Sequence, residues 1–279
     1  MITSGLFLYH YIFVGEINMN FEEKLIKYYA SGYEKKRLRK DKYHSVEYLT
    51  TVRYFDRLLP ASGKVLDCCA GGGAYSFYLA EKGCCVTATD LSPKNIELIN
   101  ADKRSKMLDG IQRLNALDMS CFEDNSFDAV LCMGAFYHLK NEEERRRCIA
   151  ECLRVLKSDG IFVLAYINRN PCVIYQFWQQ PKNIKAQAKL ISTGDNGFFY
   201  AADFDEIDKI ITDFNLIKIK NIGVDGSAYP LQKKINSLSK TQFSDYLNYH
   251  FSVCEQQSII GNSMHGLLFA RKGEKYETE

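Results

Sequence analysis

The sequence predicts an α/β fold built on a parallel sheet, and three observations predict it. From residue 64 onward, short apolar runs alternate with helical patterns. The apolar runs are nearly continuous rather than alternating, as in strands covered on both faces. Residues 65–80, Val-Leu-Asp-Cys-Cys-Ala-Gly-Gly-Gly-Ala-Tyr-Ser-Phe-Tyr-Leu-Ala, pass from a strand through three glycines directly into a helix. Such a junction presents bare backbone N–H groups and the positive end of a helix dipole to a ligand.

The elements follow in order. A Tyr-rich amphipathic helix is expected over about 20–33. It precedes a basic run from Lys35 to Lys42 that reads as a solvated helix face or an anion contact, and a second helix over 44–58 stops before Pro60. Lys64–Cys69 reads as the first strand and Ala74–Lys82 as a helix closed by Gly83. Cys84–Asp90 is the second strand. Ser92 caps the next helix with Pro93 at its first position, and that helix is expected to reach Met107. Ile111–Asn115 and Phe127–Met133 are further strands. Asn141 and the acidic Glu142, Glu143 and Glu144 open a helix that ends near residues 157–160, and Ile161–Tyr166 is the fifth strand. Residues 168–200 read as irregular and aromatic. A helix over 203–213 ends at Asn215, and Leu216–Ile222 and His265–Arg271 are strands flanking about forty mostly helical residues.

The chain has 279 residues, 46% of them hydrophobic, and a formal net charge of +2. That is enough for a large core and too little charge for a global pull toward nucleic acid or a membrane. Ten cysteines include the adjacent pairs Cys68–Cys69 and Cys84–Cys85 in apolar runs. They read as reduced, buried thiols of a cytoplasmic protein, and no spacing resembles a closed zinc site, so no metal is expected. The apolar stretch Leu6–Val14 is too short to span a membrane and lacks a basic leader. Translation is expected to begin at Met19, with Gly15-Glu16 encodable as a ribosome-binding sequence; residues 1–18 then form a non-native or disordered extension.

Asp67 stands four residues before Gly71. Amide donors for a carboxylate and a carboxylate for an ammonium suit an amino-acid-like ligand. A dinucleotide turn is the rival reading, but with Gly71 and Gly73 as its first two glycines the third position falls on Ser76. Here the chain resembles the class I S-adenosylmethionine-dependent methyltransferases. Asp67-Cys68-Cys69-Ala70-Gly71-Gly72-Gly73 matches their first motif except at Cys69, where the family usually keeps glycine. Asp90 ends the second strand, Leu117-Asp118-Met119 follows the third, and the segments 127–134 and 153–160 continue the resemblance in register over about residues 60–170.

The resemblance implies a Rossmann-like, seven-stranded, mostly parallel sheet with the last strand antiparallel. It also implies S-adenosyl-L-methionine as cofactor, with Asp67, Cys69, Ala70, Gly71, Gly73, Asp90, Leu91, Leu117, Asp118, Met119 and Met133 around it. Asp90 would hold the ribose hydroxyls and Asp118 the adenine amino group. The acceptor site belongs beyond the carboxyl ends of strands four and five. His138 offers a general base there, or equally a loop hydrogen bond, and Tyr137 a catalytic or lining group. Tyr29 and Tyr33 are candidates to close over the site. The segments 168–200 and 225–262, with the only tryptophan, Trp178, read as a small helical and aromatic substrate cap on a domain spanning 61–279, with helices of 19–60 covering the cofactor. The expected activity is methyl transfer to an O, N or S atom of a small molecule, with no nucleic acid or membrane partner and oligomeric state open. A non-catalytic S-adenosylmethionine-binding protein and a nicotinamide-dependent oxidoreductase are the alternatives.

Overall fold

A computed structural model of the chain describes residues 20–30, 37–182 and 184–273. The expected extension 1–18, the start at Met19, the candidate Tyr33 and the Lys35–Lys36 part of the basic run lie outside the described residues.

Two helices come first, α1 (Phe21–Tyr29) and α2 (Lys42–Leu58). Asn20 and Glu23 form a reciprocal capping box on α1. Asp41 caps α2 two residues before the expected start, its side chain accepting from the His44 N–H at 2.9 Å. The alternating core follows: β1 (Lys64–Asp67), α3 (Ala74–Glu81), β2 (Cys85–Asp90), α4 (Pro93–Asn100), β3 (Gly110–Arg113), β4 (Phe127–Cys132), α5 (Ala135–His138), α6 (Glu142–Val155) and β5 (Leu156–Ile167). The chain ends with α7 (Arg169–Gln179), α8 (Ile184–Thr193), α9 (Phe204–Asp213), β6 (Leu216–Gly223), α10 (Gln232–Ser237), α11 (Lys240–Val253), α12 (Gln257–Asn262) and β7 (His265–Lys272).

The seven strands form one sheet in the order β3-β2-β1-β4-β5-β7-β6, all parallel except β7, which runs antiparallel to both its neighbours. Each central strand splits its side chains between two cores. Leu66, Val130, Cys132, Phe162 and Leu164 pack under α6 and α9. Their sequence neighbours Val65, Ala129, Leu131, Ile161 and Val163 pack under α2 and α3. This two-residue alternation, with both faces covered, is why the strands read as unbroken apolar runs.

Three expectations are corrected. The helix expected to reach Met107 stops at Asn100, and Asp102 caps a separate 3-10 turn, Lys103–Met107. Strand β5 starts at Leu156, directly after α6, and takes up residues 157–160 as a bulge: Phe127 pairs with Leu156, and Ala129 already pairs with Ile161. Residues 168–200, expected to be irregular, hold α7 and α8. The helical period was masked there because Cys172 and Tyr175 face inward while Ile174, Phe177 and Trp178 face out, so both sides of α7 are apolar. Asn215 does adopt the left-handed conformation expected of it, at φ 47°. Among the described residues, no helix is long and apolar enough to cross a membrane.

Candidate functional site

The carboxyl ends of the parallel strands open into one cavity of about 500 Å³. Its floor is the turn after β1. Gly71 and Gly73 sit at φ 55° and 78°, conformations glycine reaches without strain. Gly73 immediately precedes α3, so the turn delivers the helix N-terminus to the cavity. A Cβ at Gly73 would lie 2.8 Å from Phe77 Cε2, so this position admits no side chain.

Asp90, at the end of β2, ties the floor together. Its Oδ2 accepts from the Gly71 N–H at 2.8 Å; its Oδ1 accepts from the Ser92 N–H at 2.8 Å and from Asn95 Nδ2 at 3.1 Å. Ser92 caps α4 itself, as expected from the sequence. Asp90 therefore links the glycine turn to the start of α4 and still lines the cavity.

Met133 and Gly134 follow β4 into the cavity wall. A Cβ on Gly134 would lie 2.6 Å from the Cys69 Cβ. The side chain at 69, where the family usually has glycine, is thus accommodated by a glycine on the facing strand end.

The opposite end is aromatic. The short helix α5 carries Tyr137 and His138. Tyr137 donates its hydroxyl to the Met133 carbonyl at 3.1 Å, and its own carbonyl accepts from the Tyr200 N–H at 2.7 Å. His138 Nε2 lies 2.7 Å from the Tyr29 hydroxyl of α1, and its ring packs against Phe198 and Phe199. Burial pushes its pKa down to about 3, only partly offset by the backbone of Phe198, so the ring is neutral at physiological pH. Arg37 also lines this cavity and grips Glu47 with two hydrogen bonds, 2.7 and 3.2 Å. Burial alone would raise Glu47, but Arg37 and then His265 hold it near 2. His265 in turn bonds Asp225 at 2.8 Å.

Asn95 Oδ1, which lines the cavity, is a buried polar atom without a partner among the described residues. Buried polar groups are normally satisfied, so this atom marks a place where a ligand can supply the partner. A polar floor with backbone donors and acceptor oxygens, joined to an aromatic end, fits a nucleoside cofactor bearing an amino-acid tail.

The family model described as a methyltransferase domain matches residues 66–164, which are the stretch that builds this cavity's floor and wall. Over this stretch the chain resembles a methyltransferase domain. The domain is 36% identical over 121 residues to a glycine/sarcosine N-methyltransferase of Parasynechococcus marenigrum (strain WH8102), covering 41% of this chain and 42% of the relative. It is 35% identical over 119 residues to a ubiquinone biosynthesis O-methyltransferase of Xanthomonas axonopodis pv. citri (strain 306), covering 41% and 47%. The chain spans about half the length of the curated relatives it matches. Among solved structures, the 1,6-didemethyltoxoflavin-N1-methyltransferase of Burkholderia thailandensis, with 1,6-didemethyltoxoflavin and S-adenosylhomocysteine bound, shares the fold at a TM-score of 0.55 and 15% identity, over 91% of this chain and 87% of that one.

Of the candidate residues in this methyltransferase domain and its N-terminal helix, Tyr29, Cys69, Ala70, Gly71, Asp90, Leu91, Leu117, Met133, Tyr137 and His138 line the cavity. Five do not. Asp67 is fully buried beneath the turn, where it accepts from the Ser76 hydroxyl at 2.6 Å; burial pushes its pKa up to about 7, with Ser76 pulling against it. Gly73 shapes the turn from behind. Asp118 is exposed and accepts from the Ser120 N–H at 3.1 Å, while Met119 points into the core under α6. Trp178 is 59% exposed on the outer face of α7.

Among the described residues, none from 168–200 or 225–262 lines the cavity. Residues 168–200 instead back its aromatic wall through Phe198, Phe199 and Tyr200. Lining residues that motif reading missed include Glu22, Leu25 and Ile26 of α1, Arg37, Tyr75 and Asn95. For Tyr75 and Asn95 a signal existed. Both sit within the first turn of a helix that follows a strand end, where side chains reach a bound ligand.

Proposed function

We propose that the chain transfers a methyl group from S-adenosylmethionine to an O, N or S atom of a small-molecule acceptor. The observation that carries this reading is the single cavity, polar around Asp90 and Asn95 at one end and aromatic around Tyr29, Tyr137 and His138 at the other. The names of the matched relatives, an N-methyltransferase and an O-methyltransferase, support it. So does the S-adenosylhomocysteine in a structure of the same fold.

In this reading the backbone around Cys69, Ala70 and Gly71 receives the amino-acid end of the cofactor. Asp90 and Asn95 take the ribose hydroxyls, and Leu91 and Leu117 flank the base. When bound, the cofactor supplies an activated methyl group on a sulfonium, so the protein's task is alignment and exclusion of water. Helix α1, within the 19–60 region, covers the chamber through Leu25, Ile26 and Tyr29. His138, neutral because it is buried, accepts a hydrogen bond and orients a hydroxyl or amine lone pair; with a pKa about 3 it is a weak proton acceptor. The ten unbridged cysteines favour a reducing compartment, the cytoplasm. The cavity volume of about 500 Å³ favours a small molecule over nucleic acid.

The test is a panel of phenols, amines, carboxylates and thiols incubated with protein and S-adenosylmethionine, read by mass spectrometry of S-adenosylhomocysteine and the methylated product. Saturable turnover of one class is expected. Tight cofactor binding with no turnover across the panel would favour the non-catalytic alternative, and binding of NAD without S-adenosylmethionine would favour the oxidoreductase.

A further inference from the structure

Beneath the glycine turn four cysteines meet. Cys68 follows β1, Cys132 ends β4, and Cys148 and Cys152 lie one turn apart on α6; all four are at most 1% exposed. The sulfurs of Cys68, Cys132 and Cys152 all lie within 4.8 Å of one another, and Cys148 Sγ is 3.8 Å from Cys132 Sγ. No CxxC spacing foreshadows this set, because its members come from two strands and a helix that only the fold brings together.

We propose that Cys68, Cys132 and Cys152 bind a soft monovalent metal ion of the copper(I) class. The donor set is all sulfur, with no carboxylate or imidazole in the group, which selects soft ions and disfavours magnesium, calcium and manganese. Three mutually close sulfurs suit a three-coordinate ion, whereas structural zinc takes four ligands. On binding, the coordinating thiols release their protons to solvent as the metal–sulfur bonds form, and no electron is transferred. Cys68 also borders the cavity, which gives an ion its way in. Occupancy would tie the β1 end, with Cys69, to the β4 end, with Met133.

The test uses the full chain, reduced and anaerobic, with the exposed thiols removed as Cys85→Ser and Cys121→Ser. Copper(I) is offered against a competing chelator, and the bound ion is examined by X-ray absorption. One retained equivalent with only sulfur neighbours is expected, with retention reduced at least tenfold in Cys132→Ala or Cys152→Ala. Cys172→Ala, a buried thiol in a different cluster, should retain the ion fully. Circular dichroism confirms that each variant is folded, and the absorption spectrum of the parent needs no core variant. Oxygen or nitrogen neighbours, or equal retention by parent and Cys132→Ala, would show the four thiols to be inert core packing and overturn the proposal.

Discussion

The two ends of the cavity are built in opposite ways. The floor is local: Asp67, the glycine turn, Asp90, Ser92 and Asn95 span 29 consecutive positions of sequence, and their bonds run mostly through backbone N–H groups. The aromatic end is assembled from afar. His138 meets Tyr29 across 109 positions, and Phe198 and Phe199 support it from the other side. A local, backbone-directed site fixes one shape and one ligand. A site made of side chains from distant elements is free to vary, as expected where relatives differ in acceptor.

The largest test of this contrast is pH. Each end buries a strongly shifted group, Asp67 at the floor and His138 at the aromatic end, and these two are shifted in opposite senses. Asp67 titrates near 7 when folded and near 3.9 unfolded, so its contribution to stability is full below about pH 4 and is lost as pH rises through 7. His138 titrates near 3 folded and near 6.5 unfolded, so its contribution is full above about pH 6.5 and is lost as pH falls toward 3. The two slopes cancel over most of pH 4–6.5. Asp67→Asn should therefore expose a stability that rises with pH, and His138→Phe one that falls. Each should span at most roughly 4 kcal/mol, from shifts of about three units at 1.36 kcal/mol per unit. Urea unfolding at pH 4, 5.5 and 7 checks this, and profiles parallel to that of the unsubstituted chain would break the pairing.

Next in size is Asp90→Ala. It removes a carboxylate that accepts three protein hydrogen bonds and lines the cavity. Binding of S-adenosylhomocysteine should weaken at least about tenfold, the loss of one charge-assisted bond, and thermal stability should fall as the Gly71, Ser92 and Asn95 donors lose their acceptor. Calorimetry is the readout. His138→Phe should leave the same affinity within about twofold, so equal losses in both variants would erase the division of labour.

The close approach of Cys69 and Gly134 gives a finer test. Gly134→Ala places a methyl against the Cys69 Cβ and should cost about 1–3 kcal/mol, the usual range for overpacking. Cys69→Gly in the same chain should restore most of it. A double-mutant cycle on thermal stability measures the coupling, and additive losses would mean that the two positions do not answer each other.

Smaller again is Tyr29→Phe, which deletes the hydroxyl 2.7 Å from His138 Nε2. A net hydrogen bond of about 1 kcal/mol corresponds to roughly a fivefold fall in kcat/KM for an acceptor found in the panel, with cofactor affinity unmoved. A change confined to cofactor affinity would move Tyr29 to the floor's account.

What could be read from the sequence divides along the same line. The strand ends, the glycine turn, the Ser92 cap and the place of Asp90 all follow from spacing over a few residues, and spacing survives in one dimension. The short reach of such signals also explains the misplaced candidates. Asp118 and Met119 were assigned by position in a motif, yet the local turn faces one to solvent and the other to the core, and the cavity stops at Leu117. The Tyr29–His138 contact and the four-thiol cluster depend on which distant faces meet, and no periodicity encodes that.

Trp178 carries the smallest expected effect. A lone tryptophan among tyrosines and phenylalanines suggests a substrate contact, but composition does not say which way a helix turns. Tyr175 faces the core beside Tyr229, whereas Ile174, Phe177 and Trp178 share the outer face of α7, and Trp178 is 59% exposed. Trp178→Ser should therefore change stability by less than about 0.5 kcal/mol, as exposed substitutions usually do, and leave cofactor affinity and acceptor KM within about twofold. A severalfold rise in acceptor KM with unchanged stability would extend the aromatic end onto α7. It would make residues 168–200 part of the acceptor site rather than the support behind it.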